Sequence, residues 1–204
     1  MRIDELTRPE TDMGVDLLLR RAGYENLGHG SFANVYQKPG KPYVLKVFTS
    51  EDTGYLAYLD LIRKHQDNPH FPKIYGKLVS ISPEYYAVRM EPLQKYVYGA
   101  QSDYVDVQDI SIYLNHWDQP IVPGYVEGAR EFMEENPLLQ EACDLIIEHL
   151  VGRFTLDMSK PENTMLRGTT VVITDPIWDH RDKKKRRSPD VRKWGSFSKR
   201  PVPK

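Results

Sequence analysis

Hydrophobic and polar residues follow two different rhythms along this chain. From Val15 to Ala22 apolar residues lie on one helical face, with Thr11 or Asp12 as the cap and Gly23 as the stop. Tyr24 to Tyr36 predicts two short strands around a glycine-containing turn. Pro39-Gly40-Lys41-Pro42 is a second turn, and Tyr43–Phe48 a third strand. A helix opens at Ser50 or Asp52, with Leu56, Leu59 and Ile62 at three-residue spacing, and ends before Asn68-Pro69. Phe71–Val79 and Tyr85–Met90 predict two further strands, turning at Ser82-Pro83-Glu84. The first half therefore predicts an antiparallel meander with one helix, not a βαβ unit. The second half changes rhythm. The mixed region Gln94–Pro123 predicts one short helix near Val107–His116, broken by Pro123-Gly124. Pro137 opens a stronger helix, Leu138–Val151, which Gly152 closes. Strands Thr164–Leu166 and Val171–Thr174 then form a hairpin turning at Arg167-Gly168.

Composition adds one asymmetry. The 204 residues are 40% hydrophobic and 28% charged, with a net charge of −1, ordinary values for a globular chain. The net charge conceals a basic tail: from Arg181 to Lys204 there are eleven Lys/Arg against two acids. Residues 1–180 hold the other seventeen basic and twenty-seven acidic residues. Such a block is expected to be disordered in isolation, as a solvated tail, a contact for nucleic acid or an acidic protein, or a segment docked on its own acidic body. No apolar run is long enough to cross a membrane, and Met1–Leu6 lacks the apolar core of a secretory signal. A single cysteine, Cys143, sits in a helical apolar pattern as a small buried hydrophobe, which fits a reducing cytoplasm.

The candidate chemistry gathers in a few places. Asp157, Asn163 and Asp175 flank the hairpin, and oxygen ligands converging there suit a hard cation such as magnesium. Gly28 and Gly30 lie in a turn between strands. That turn is either a plain hairpin or a place where backbone approaches an anion without a Cβ in the way. It is neither a Walker loop nor a dinucleotide fingerprint, because a strand follows it. Lys46 lies in the apolar strand Val44-Leu45-Lys46-Val47, and is either solvent-facing or inward and paired with an anion.

Taken in order, these parts resemble the protein-kinase signature set over Leu27–Trp178. Gly28, Gly30, Phe32 and Val35 resemble the glycine-rich loop over ATP phosphates, and Lys46 the lysine that contacts them. Met90 and Glu91 resemble the gatekeeper and first hinge residue. Lys160-Pro161-Glu162-Asn163 resembles the end of a catalytic loop, and Asp175-Pro176-Ile177 the metal-binding Asp-Phe-Gly. The sequence is most similar to the small early serine/threonine protein kinases of short-tailed lytic bacteriophages. It shares with them Asp52-Thr53-Gly54, Asp157-Met158, Ile173–Pro176 and a basic region after the domain. The resemblance implies an α+β, bilobed protein-kinase-like fold with a reduced, mainly helical C-lobe. Residues 1–23 would be a helical extension, 24–91 the N-lobe, 92–180 the C-lobe and 181–204 the tail. Implied roles are phosphate binding at Gly28–Phe32 and at Lys46, magnesium at Asn163 and Asp175, and Asp157 as the base. Cofactors would be ATP and Mg2+. Partners would be host proteins, with transcription or other nucleic-acid machinery among them, in the host cytoplasm.

The pattern departs from that family in places. Asp157 precedes Asn163 by six residues, one more than the usual spacing, so Met158 falls where the base belongs unless the chain bulges near Ser159. Thr155-Leu156 replaces the usual His-Arg, Ala33 replaces the third glycine, and about two dozen residues follow Asp175-Pro176-Ile177. Asp60, or less well Glu51, is the helix acid expected to pair with Lys46. The departures motivate an alternative: a kinase-fold binding protein of weak or absent activity that grips a host protein. A third option is transfer to a small molecule or RNA.

Overall fold

The computed structural model describes residues 11–96, 107–117, 124, 126–158 and 163–179. The expectations for Ser159–Glu162 and for the tail 181–204 lie outside the described residues. Helix α1 (Asp12–Arg21) begins as predicted, with the Thr11 hydroxyl accepting from the Gly14 N–H at 3.1 Å. Gly23 ends it at a φ of 82°, the left-handed region open to glycine.

Strands β1 (Glu25–His29), β2 (Ala33–Gln37), β3 (Val44–Thr49), β4 (Ile74–Ser80) and β5 (Tyr85–Met90) form one antiparallel sheet. Its order is β1-β2-β3-β5-β4, so β5 rather than β4 lies beside β3 and the meander is broken at α2. Phe71–Lys73, expected in β4, precede it; Phe71 is drawn into the core, and the Lys73 N–H is taken by the Glu91 side chain while its carbonyl accepts from the Glu91 N–H.

The period-two pattern of β3 divides the molecule. Leu45 and Val47 face α1 and join Val15, Leu19, Tyr36, Ile81, Tyr85 and Ala87 in one cluster. Val44 and Phe48 face the other way, into the main core. Lys46 alternates with Leu45 and Val47, so it shares the Val44–Phe48 face. That face is covered by α2 (Thr53–Lys64), whose Asp52 cap accepts from the Tyr55 N–H at 3.0 Å. Tyr55, Tyr58, Leu59 and Ile62 are its buried stripe.

The second half holds α3 (Val107–Asn115), α4 (Val126–Glu135) and α5 (Pro137–Leu150). Helix α4 was not predicted. Its buried residues Val126, Ala129 and Met133 have helical spacing, but they are thinly spread among charged residues. Helix α5 matches its prediction: Leu139, Ala142, Cys143, Ile146 and Leu150 are buried. Burial drives the Cys143 thiol pKa far up, leaving it a small apolar residue.

The hairpin is β8 (Thr164–Arg167) and β9 (Thr170–Ile173), one residue out of step with prediction at its turn. Arg167 pairs with Thr170, so the turn is Gly168-Thr169, and Gly168 at φ 61° fits the first position of a II′ turn. The short strand β6 (Gln94–Lys95) adds to β8. Strands β7 (Thr155–Leu156) and β10 (Ile177–Trp178) pair with each other. All three were missed because two-residue strands carry no periodic signal. The molecule is thus a mixed α+β fold in which a five-stranded antiparallel sheet and a helical part share one main core. Among the described residues no helix is long and apolar enough to cross a membrane.

Candidate active site

The turn after β1 lies at the edge of the sheet face that carries Lys46. A bulge between Asn26 and Gly28 shifts the register, and Gly28 then pairs with Val35. The Gly30 N–H donates to the Ala33 carbonyl at 2.6 Å, and the Thr49 N–H to the Phe32 carbonyl at 3.0 Å. Neither glycine needs its freedom for a left-handed φ. A Cβ on Gly28 would meet nothing within 4 Å, so the missing side chain leaves open space over the backbone rather than relieving a clash. Val35 sits directly beside Lys46 in the ladder.

Lys46 is inward and paired. Its Nζ lies 3.1 Å from Asp175 Oδ2 and 3.5 Å from the centre of the Tyr55 ring. Its side chain is 12% exposed. The expected helix acids are elsewhere: Asp60 is exposed and bonded to Lys64 at 2.8 Å, and Glu51 is exposed. Helix α2 turns tyrosines, not acids, toward the lysine, because Asp60 falls on the opposite face from Tyr55, Tyr58 and Leu59.

The three oxygen-bearing residues of the hairpin converge. The Asn163 side-chain amide donates to the Asp157 carbonyl. The Thr174 N–H donates to the Asn163 carbonyl at 2.8 Å, and the Asp175 N–H to the same oxygen at 3.4 Å. The Asp157 N–H donates to the Pro176 carbonyl at 2.8 Å. With its amide nitrogen committed, Asn163 has Oδ1 left to offer a cation. Met158 is buried in the main core, whereas Asp157 is half-buried. Strand β9, which leads into Asp175, is tied to α2, since Tyr58 donates its hydroxyl proton to the Ile173 carbonyl.

Met90 ends β5 and Glu91 follows it. Met90 is buried, and its Sδ accepts from the Tyr55 hydroxyl at 3.3 Å. Glu91 is also buried, and its carboxylate points away into an ion pair. It accepts from the Arg167 guanidinium (2.7 Å from Nε) and from the Lys73 N–H at 2.6 Å. Arg167 also donates to the Pro69 and Phe71 carbonyls, at 2.6 and 3.0 Å. Burial acts to raise the Glu91 pKa. The Arg167 and Lys73 hydrogen bonds and charges outweigh it, and the net position is below the ordinary 4.5.

Sequence reasoning missed Tyr55, Arg167 and Asp179. Asp179 is buried and accepts from the Thr53 hydroxyl at 2.5 Å. A Cβ on Gly54 would lie 3.4 Å from the Asp179 nitrogen. The start of α2 is therefore seated directly on the chain that leaves β10. The only signal was indirect: an Asp-Thr-Gly triplet whose partner lies 126 positions away.

A cation site made of one amide oxygen and one or two carboxylates is sparse. Among the described residues no three His, Cys, Asp or Glu side chains cluster as metal ligands. Magnesium held with substrate phosphates needs no more than one or two carboxylates. The Lys46 ammonium already occupies a cation's place against Asp175, so the donor set fits that use. No curated protein matches the chain. The sequence profile of the bacteriophage T7 protein kinase 0.7 family matches residues 12–192, and with most of its length covered the chain belongs to that phage protein-kinase family.

Proposed function

We propose that this chain is an ATP- and magnesium-dependent serine/threonine kinase that phosphorylates host proteins or itself in the host cytoplasm. The observation that carries the reading is the Lys46–Asp175 contact, with Asn163 and Asp157 bonded to the same short segment. Backbone N–H groups at Gly28–Phe32 other than that of Gly30, which is bonded to Ala33, and the Lys46 ammonium would receive the phosphates. Asn163 Oδ1 and Asp175 would hold magnesium, which when bound neutralises phosphate charge. Asp157 would orient the substrate hydroxyl and accept its proton. Met90, with the Glu91 backbone, would bound the adenine end; the Glu91 carboxylate is spent on Arg167. Catalysis of this kind is positioning and charge stabilisation.

The basic tail at 181–204 is proposed as the contact for an acidic partner, a host nucleic-acid machine or nucleic acid itself, through charge. Transfer of labelled phosphate from ATP to the chain or to host lysate tests the kinase reading. Equal signal from wild type and Asp175→Ala would leave only the alternative, a binding protein. Capture of a host protein that survives Lys46→Ala but is lost on deleting 181–204 would support that alternative.

A further inference from the structure

We infer that Tyr55 is the positioning residue for Lys46, taking the place of an acid on the helix; this rests on the kinase reading above. The ammonium stands 3.5 Å above the ring centre, where the negative face of the π-system attracts a cation and desolvation strengthens the contact. The ring is buried and held by its neighbours. Its backbone N–H is bound by the Asp52 cap and its hydroxyl donates to Met90 Sδ. The Phe48 ring meets it edge-on, with centroids 4.9 Å apart. Beneath it, α2 is seated by Thr53 on Asp179 and by Tyr58 on Ile173. The helix cannot carry Tyr55 away from Lys46 without breaking both contacts.

A neutral partner has a chemical advantage over a carboxylate here. When a divalent cation takes Asp175, Lys46 loses its charged partner and must turn to phosphate. The ring keeps hold of the ammonium throughout and does not compete for the metal. The site is therefore assembled in the free protein, with no helix acid that has to swing into place.

Two measurements decide this. In lysine-labelled full-length protein, the Lys46 side-chain proton signals, assigned through Lys46→Met, should lie upfield of the other lysines through the ring current. The shift should persist in Tyr55→Phe and vanish in Tyr55→Met. For the reaction, Tyr55→Met should lower kcat/KM for ATP about 30-fold, and Tyr55→Phe should stay near wild type. In a Lys46→Met background Tyr55→Met should cost nothing further. An unshifted Lys46 signal in the wild-type protein overturns the inference even if Tyr55→Met does not fold. So does an equal loss of activity in the Lys46→Met background, which would mark Tyr55 as packing only. A shifted signal in a protein that transfers no phosphate would leave the placement intact and overturn the kinase reading instead.

Discussion

Two ion pairs flank the end of the main core and are built for opposite ends. Glu91–Arg167 is saturated: both carboxylate oxygens accept, and the guanidinium donates to two further carbonyls. Lys46–Asp175 has one salt-bridge contact, and the Asp175 side chain is 34% exposed. The first pair ties the hairpin to the chain just after β5, with four of the five guanidinium N–H groups spent inside the fold. The second is under-coordinated, and a metal and a phosphate can replace each half with something stronger. A charge that is fully satisfied holds the fold, whereas a charge held by one contact remains available for chemistry.

The largest expected effect separates the pairs by activity. Asp175→Ala should lower phosphoryl transfer by about 1,000-fold, read from labelled ATP. Full activity in Asp175→Ala would remove the functional half of the contrast. The complementary change acts on stability. Glu91→Ala should destabilise by about 3 kcal/mol in denaturant unfolding, because it strands a half-buried guanidinium, and should leave kcat of the folded fraction near wild type. A stable Glu91→Ala protein would show that the saturated pair is not structural.

Ligand linkage comes next. At 100 times Kd, ATP with magnesium should stabilise the wild type by about 2.7 kcal/mol in thermal unfolding, and Asp175→Ala should not respond. Acid should then distinguish the pairs again. Glu91 has a depressed pKa, so its contribution is complete above 4.5 and is lost as pH falls below 4.5 and through its lower folded-state pKa. Glu91→Gln should flatten that limb. His70 is held neutral by burial first and by the Arg167 charge, which together outweigh the opposing hydrogen bond between Nδ1 and the Val171 carbonyl at 2.8 Å. Its pKa lies below 6.5, so stability should begin to fall as pH drops through 6.5, and His70→Gln should remove that component. The smallest effect belongs to Asp60→Asn, at most about 0.5 kcal/mol, since its partner Lys64 is an exposed neighbour one turn away.

Much of this was legible because it is periodic or punctuated. The alternation in β3 and the spacing in α2 and α5 fixed which faces are buried. Gly23, Gly152 and Gly168 marked three stops in left-handed conformations. The order of Gly28, Lys46, Asp157, Asn163 and Asp175 pointed to one site, and the hydrogen bonds around Asn163 do draw the last three together. The partner of Lys46 was not legible. Sequence logic looked for an opposite charge on the helix, and the structure supplies a ring there and the acid from 129 positions away. Arg167 and Asp179 were hidden for the same reason. One read as a turn residue and the other lay between the last motif and the charged tail, and only the fold brings each to its partner. Helix α4 was lost because three apolar residues among charges look like a loop when the eye is set on longer stripes.

The shared main core has a consequence for synthesis. Phe48, Tyr58 and Ile62 pack in one cluster with Ile146, Leu150, Ile173 and Ile177. A chain emerging from the ribosome cannot close that cluster until Ile177 is available. The sheet made first would stand with one apolar face open, a long-range closure of the kind that folds slowly. Asp175 arrives in the same late stretch, so the Lys46 site comes into being in the same step that completes the core.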